Sequence, residues 1–189
     1  VDRTFGEILI YNGKILPTYF HSSCGGMTED TKELWNMDLA PLRGVPCPFC
    51  KDSPHMRWVR NFRLKDVQVA LNNRGFAIGE IKDIFVLGRN RSDRIIQLKI
   101  TDRTNQQLII NGKDFRDAIG PNLLKSNNYT IVMKGYFVDM IGKGWGHGVG
   151  LCQYGMKTLA ELGYTYRQIL EFYYPGAEIK QLENGQRPS

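Results

Sequence analysis

The chain has 189 residues, 42% hydrophobic and 23% charged, the balance of a soluble globular protein and enough chain for one well-packed domain. Its net charge of +6 suits an acidic cell-wall polymer or an anionic lipid surface, whereas nucleic acid is not expected as a partner because no Lys/Arg-rich run appears. No apolar stretch approaches the ~20 residues of a membrane span and no leader pattern opens the chain, which starts at Val1 and enters strand-like sequence at once, as a piece of a longer protein would.

Residues 6–20 read as a β-hairpin around Asn12-Gly13, a strong short-range turn signal, with Pro17 marking the second strand as an edge or a bulge. Residues 22–53 are irregular, hold three of the four cysteines and include a short helix near 28–35. A strand is expected over 56–62 and a helix over 64–71, stopped by Asn72-Asn73-Arg74-Gly75. Strands follow at 81–87, 95–101 and 106–110; within 95–100 the alternation is that of a half-buried strand. A helix over 113–119 is stopped by Gly120-Pro121, and 129–141 gives one long strand or two short ones. The clearest helix spans 149–162, where Leu151, Tyr154, Leu159 and Leu162 recur near helical spacing before Gly163. A last helix over 166–172 follows Thr165 as N-cap, and 184–189 read as a frayed end. Strands and helices do not alternate regularly, so the expected class is α+β, mostly antiparallel strands with a few short helices and an irregular loop.

Residues 142–154 read Gly-Lys-Gly-Trp-Gly-His-Gly-Val-Gly-Leu-Cys-Gln-Tyr, with glycine at every second position from Gly142 to Gly150. In an extended segment that spacing leaves one face bare while Lys143, Trp145, His147 and Val149 share the other. It is neither the G-x-G-x-x-G dinucleotide fingerprint nor a phosphate loop ending in Gly-Lys-Ser/Thr. A packed turn in which His147 satisfies a backbone group is one reading. The other is a ligand-facing wall, favoured by His147, Gln153 and Tyr154 lying where the turn opens into a helix N-terminus with free N–H groups.

His21-Ser22-Ser23-Cys24 and Cys47-Pro48-Phe49-Cys50 form an H-x-x-C and a C-x-x-C pair separated by a loop. Two short ligand pairs closed by a loop suit a tetrahedral zinc site, which would also supply cohesion to a region poor in regular structure. The candidate ligands are His21, Cys24, Cys47 and Cys50, with His55 as a second choice for the fourth. A local Cys47–Cys50 disulfide is the competing reading outside the cytoplasm. Isolated in sequence, Cys152 reads as a small packed residue beside the cleft, not a nucleophile.

Several motifs together resemble the SpoIID/LytB family, that of stage II sporulation protein D. They are Leu9-Ile10-Tyr11-Asn12-Gly13-Lys14, the run Tyr19-Phe20-His21-Ser22-Ser23-Cys24-Gly25-Gly26-Met27-Thr28, Leu42-Arg43-Gly44-Val45-Pro46, and Gly144-Trp145-Gly146-His147-Gly148-Val149-Gly150 with Leu151-Cys152-Gln153-Tyr154-Gly155. Ile169-Leu170-Glu171-Phe172-Tyr173-Tyr174-Pro175-Gly176 also looks like the family. The resemblance implies one such domain over residues 1–189, in an extracytoplasmic protein that processes peptidoglycan, and the length leaves room for a smaller lobe at about 64–130. Family members include lytic transglycosylases acting on glycan strands stripped of stem peptides, enhancers of a wall amidase, and zinc binders.

The resemblance also implies a catalytic glutamate in a helical segment upstream of the first strand. Nothing before Gly6 resembles that helix, so the acid is expected upstream and no catalytic residue is assigned within the chain. Lytic cleavage needs a carboxylic acid kept protonated by an apolar setting, after which the muramic C6 hydroxyl attacks and no carboxylate nucleophile is required. Glu29, Asp30 and Glu33 read instead as a solvated first helical turn. In the cleft, His147 and Gln153 would hydrogen-bond sugar hydroxyl or acetamido groups, Trp145 and Tyr154 would offer aromatic faces, and Ser22 and Ser23 would line the opposite wall.

Overall fold

In the computed structural model of the chain, which describes residues 4–182, Asn12 and Gly13 both take positive φ, 50° and 76°. This is the two-residue turn whose twist matches that of the flanking strands. It joins β1 (Glu7–Tyr11) to β2 (Lys14–Ile15), with Ile10 opposite Ile15. β2 ends well short of the expected 14–20, because Pro17 has no N–H for a ladder. The other edge of β1 is taken by β11 (Glu178–Gln181), antiparallel, with Ile10 opposite Glu178; the sequence reading did not foresee this strand. The expectation for 184–189 lies outside the described residues.

The chain then builds two apolar cores. One gathers β4 (Trp58–Arg63), α2 (Leu64–Asn72), β5 (Ile81–Arg89), β6 (Ile95–Asp102), β7 (Gln107–Asn111), α3 (Gly112–Ile119), β8 (Tyr129–Lys134) and β9 (Phe137–Gly142). Its strands form two antiparallel sheets, β4-β9-β8 and β5-β6-β7. Residues 129–141 are thus two strands, turned at Gly135, whose φ of 62° suits the first position of a tight hairpin. α2 buries Leu64, Val67 and Leu71, a spacing that keeps them on one helical stripe. They pack with Leu98, Ile100, Phe115, Val138 and Met140.

The second core joins the two ends of the described chain. β3 (Phe20–His21) pairs in parallel with β10 (Leu151–Cys152), so Cys152 lies opposite His21. The helix expected from 149 begins later, as α4 (Gln153–Glu161), because residues 151–152 are spent on that strand. α1 (Thr31–Trp35) is capped by the Asp30 side chain. α5 (Tyr166–Tyr173) carries a capping box in which Thr165 and Gln168 satisfy each other's backbone N–H. Leu9, Leu16, Leu42, Val149, Leu159, Ile169, Tyr173 and Tyr174 fill this core together with all four cysteines. The architecture is α+β with mostly antiparallel strands, as expected.

Candidate metal centre and glycine-rich wall

The four cysteines converge. Cys24 follows β3, Cys47 precedes and Cys50 ends a single 3-10 turn, and Cys152 is the N-cap of α4. All four are buried free thiols whose sulfurs lie within 4.8 Å of one another, the Cys24 and Cys50 sulfurs 3.4 Å apart. A tetrahedral ion with ~2.3 Å metal–sulfur bonds needs sulfurs about 3.8 Å apart, so the thiols fit a small thiophilic ion with slight adjustment. The Cys24 and Gly155 backbone N–H groups point at the Cys152 sulfur, at 3.3 and 3.4 Å, and the Tyr173 hydroxyl lies 3.2 Å from Cys47. N–H and O–H donors aimed at sulfur favour its anionic form. Hydrogen bonds among the four sulfurs hold the Cys50 and Cys47 thiols below their ordinary range and push those of Cys24 and Cys152 above it, so the four titrate together as one cluster.

The fourth member of this cluster is Cys152, not His21 or His55. His21 Nδ1 lies 3.0 Å from the Val149 carbonyl, and burial, with the Arg94 charge adding to it, lowers its pKa to about 3. His55 stands with its ring against Trp145 and Tyr154, at centroid separations of 4.5 and 5.7 Å. Cys152 escaped the sequence reading because no second ligand lies near it in sequence; only the β3–β10 pairing brings it to Cys24.

Gly144, Gly146, Gly148 and Gly150 all take positive φ, between 70° and 116°, so residues 142–150 are not a simple pleated strand. Their bare side is filled by the protein itself. A Cβ on Gly144 would come within 2.8 Å of the Ser23 carbonyl and one on Gly146 within 2.8 Å of His21 Cβ, while Gly148 abuts the Arg94 guanidinium and Gly150 the Tyr19 carbonyl. Glycine is needed here for conformation and for this close approach together.

Arg94, only 2% exposed, donates to the Cys24 and Met27 carbonyls at 2.8 and 3.1 Å. Its Nε is 3.8 Å from Glu29. Glu29 is itself 3% exposed and accepts from Asp30 N, Asn90 Nδ2 and Ser92 Oγ at 2.8–3.0 Å. The expectation of a solvated Glu29 is therefore wrong: it is the anionic half of a buried ion pair that ties the loop after β3 to the other core. Asp30 and Glu33 lie on or beside α1, Asp30 as its cap. Nothing in the local sequence distinguishes Arg94 from a surface arginine.

The aromatic and polar residues singled out from sequence fall into two groups that contact different rings. His147, half-buried, receives the Val149 N–H on Nδ1 at 3.1 Å and stacks near Trp35 and His21, with centroids 5.2 and 5.7 Å away. Burial holds its pKa below the ordinary value against a hydrogen bond to the Phe20 backbone, and the charges of Arg116 and Arg94 add to the effect. With Trp35, Arg116, Asp117 and Asn127 it lines a cavity of about 190 Å³, below the ~300–1,000 Å³ of whole-ligand pockets and sized for one substituent of a ligand. Trp145 belongs to the second group, with His55 and Tyr154, and Gln153 is exposed at the start of α4. Ser22 offers its carbonyl to Tyr154 N at 3.1 Å. Ser23 is buried, its backbone paired with Trp145 in both directions at 2.8 and 3.1 Å.

Fold and site define an α+β domain in which a four-thiol clip and a buried ion pair hold a glycine-rich wall bearing an imidazole and an indole. The chain belongs to the family described as a domain of unknown function, DUF8618, whose model matches residues 50–150, and its curated relatives group it with the stage II sporulation protein D-like proteins. It is 34% identical over 179 residues to an uncharacterized protein of Brachyspira hyodysenteriae, covering 95% of this chain and 47% of that protein. It is 28% identical over 186 residues to stage II sporulation protein D of Bacillus subtilis, covering 97% and 50%. It is 27% identical over 225 residues to the amidase enhancer of the same organism, covering 95% and 32%. The chain thus spans about half or less of the length of these curated relatives. Among the described residues no helix is long and apolar enough to cross a membrane.

Proposed function

We propose that the chain is the glycan-handling part of an extracytoplasmic cell-wall protein, working in lytic transglycosylase-like cleavage of peptidoglycan strands stripped of stem peptides. A structural zinc ion bound by Cys24, Cys47, Cys50 and Cys152 steadies it. The observation that carries the reading is the glycine wall. Its bare side is locked on Tyr19, His21, Ser23 and Arg94, which leaves the half-buried His147 and Trp145 on fixed backbone. Aromatic and imidazole groups offer the stacking face and hydrogen bonds that a sugar strand needs. In this reading the zinc clip also keeps four thiols from oxidising in a disulfide-forming compartment.

The general acid is supplied from outside this chain. Carboxylates beside the wall are paired with cations, Glu29 with Arg94, Asp117 with Lys113 at 2.9 Å and Asp93 with Lys143 at 3.8 Å. That same observation favours a second reading for the chain alone, a wall-binding module that recruits or stimulates a wall amidase, as the name of one relative suggests. Co-sedimentation of the chain with stripped and peptide-bearing wall sacculi, followed by mass spectrometry for anhydromuramyl ends, separates the two. Binding without new ends supports the module, and new ends place the acid within the chain. Binding by His147→Ala equal to that of wild type removes the imidazole from the cleft.

A further inference from the structure

Beside Trp145, Lys125 stands apart from other cations near the wall. Arg94, Lys113 and Lys143 each face a carboxylate, and Arg116 is bonded to the Leu124, Pro121 and Lys125 carbonyls. Lys125 has no carboxylate partner among the described residues. Its ammonium lies 5.0 Å over the Trp145 ring and 3.4 Å from His55 Nδ1. An ammonium only donates, so His55 Nδ1 is the acceptor and the ring is neutral on that edge. Burial, with the Lys125 charge adding to it, lowers the His55 pKa and keeps the ring in that form.

The surrounding backbone is fixed. Gly146 N donates to the Lys125 carbonyl at 2.9 Å and Gly144 N to the His55 carbonyl at 2.8 Å, while Arg116 Nε and Nη2 hold the Leu124 and Lys125 carbonyls at 2.8 and 3.0 Å. Trp145, His55, Tyr154 and Lys125 therefore share one pinned surface. Over the half-buried Trp145 ring the ammonium has for partners only the ring face and one neutral acceptor, whereas a carboxylate offers it a charge-assisted bond about twice as strong as a neutral hydrogen bond. The ammonium is poised to leave the ring for an anion.

We propose that Lys125, seated by His55 on Trp145, is a carboxylate-reading subsite for a sugar acid, binding the free lactyl carboxylate of N-acetylmuramic acid while Trp145 meets the pyranose. The inference rests on the wall-glycan reading and extends it: a stripped strand carries that carboxylate free, and a peptide-bearing strand has it tied up in an amide. A uronic acid polymer offers the same chemistry from another source.

The test is calorimetric titration of the whole chain and of Lys125→Met and Lys125→Arg with four probes. These are a neutral N-acetylglucosamine oligomer, an N-acetylglucosaminyl–N-acetylmuramic acid oligomer with free lactyl groups, the same oligomer with the lactyl carboxyl amidated, and a hexuronate oligomer. Wild type should bind the free-lactyl oligomer about tenfold more tightly than the amidated one. Lys125→Met, which keeps the apolar stem, should erase that ratio and leave the neutral oligomer unaffected, and Lys125→Arg should restore part of it. Equal binding of the free and amidated oligomers by wild type, or a ratio that survives Lys125→Met, overturns the subsite while the glycan reading stands. Lys125-dependent binding confined to the hexuronate overturns the lactyl assignment. Failure of wild type to bind any wall oligomer overturns the glycan reading and the subsite with it.

Discussion

Cys152→Ser tests the metal centre most directly. Serine keeps a side-chain acceptor for the Gly155 N–H at the N-cap of α4 and removes one of four converging sulfurs. Structural zinc in small domains contributes an apparent ~10–16 kcal/mol. Divided among four thiolates this is ~3 kcal/mol each, or about a hundredfold in zinc affinity. The measurements are the metal-to-protein ratio after gel filtration, competition with a chromophoric chelator, and thermal unfolding with and without that chelator. Wild type should carry one zinc and lose thermal stability on chelation. Cys152→Ser should bind about a hundredfold more weakly and melt between the zinc-bound and the chelated wild type, while His21→Gln keeps its metal. Cys152→His, which restores a ligand atom at the same position, should recover part of the affinity and guards against a variant that simply misfolds. Wild-type affinity in Cys152→Ser, or loss of zinc in His21→Gln instead, would refute the four-sulfur assignment.

Arg94→Met removes the cation of a buried pair and leaves Glu29 and the Cys24 and Met27 carbonyls short of a partner; a loss of about 3–5 kcal/mol is expected in urea unfolding, and a change under about 1 kcal/mol would show that the pair does not join the two cores. Asp102 accepts from Gly79 N, Thr104 N, Thr104 Oγ1 and Gln106 N, and these bonds, the Thr104 hydroxyl foremost, hold its carboxyl below the ordinary 3.8. The unfolded chain then takes up the proton first as pH falls, so this contribution is complete at neutral pH, weakens as pH drops to about 3.8 and is gone below the folded value. Asp102→Asn should therefore show a shallower loss of stability in acid than wild type, and parallel acid profiles would contradict it.

Much of the fold was legible because it is set by short-range chemistry. Asn12-Gly13 can turn only where positive φ is tolerated, Thr165 and Gln168 cap α5 within one turn, and the alternation in β6 states its burial without reference to any partner. The Cys47-Pro48-Phe49-Cys50 pair and the glycine run announced themselves in the same way. Boundaries slipped where a residue's role depended on a distant strand. Residues 149–152 carry a helical pattern, yet β3 offers more backbone pairing than one extra turn of helix, so the helix waits until Gln153. β11 was missed because its four residues become a strand only beside β1.

The sequence by itself therefore determined the α+β class, the turns and caps, the two-cysteine clip and the family resemblance, all of which rest on neighbouring residues or on local pattern. Only the tertiary structure decided that Cys152 completes the thiol cluster in place of His21, that Glu29 is buried against Arg94, and that the bare side of the glycine run faces protein. Each of those depends on residues far apart in the chain, Cys24 with Cys152, Glu29 with Arg94 and Tyr19 with Gly150, and burial, which sets both the pKa shifts and the cost of an unpaired charge, is a property of the packed chain alone.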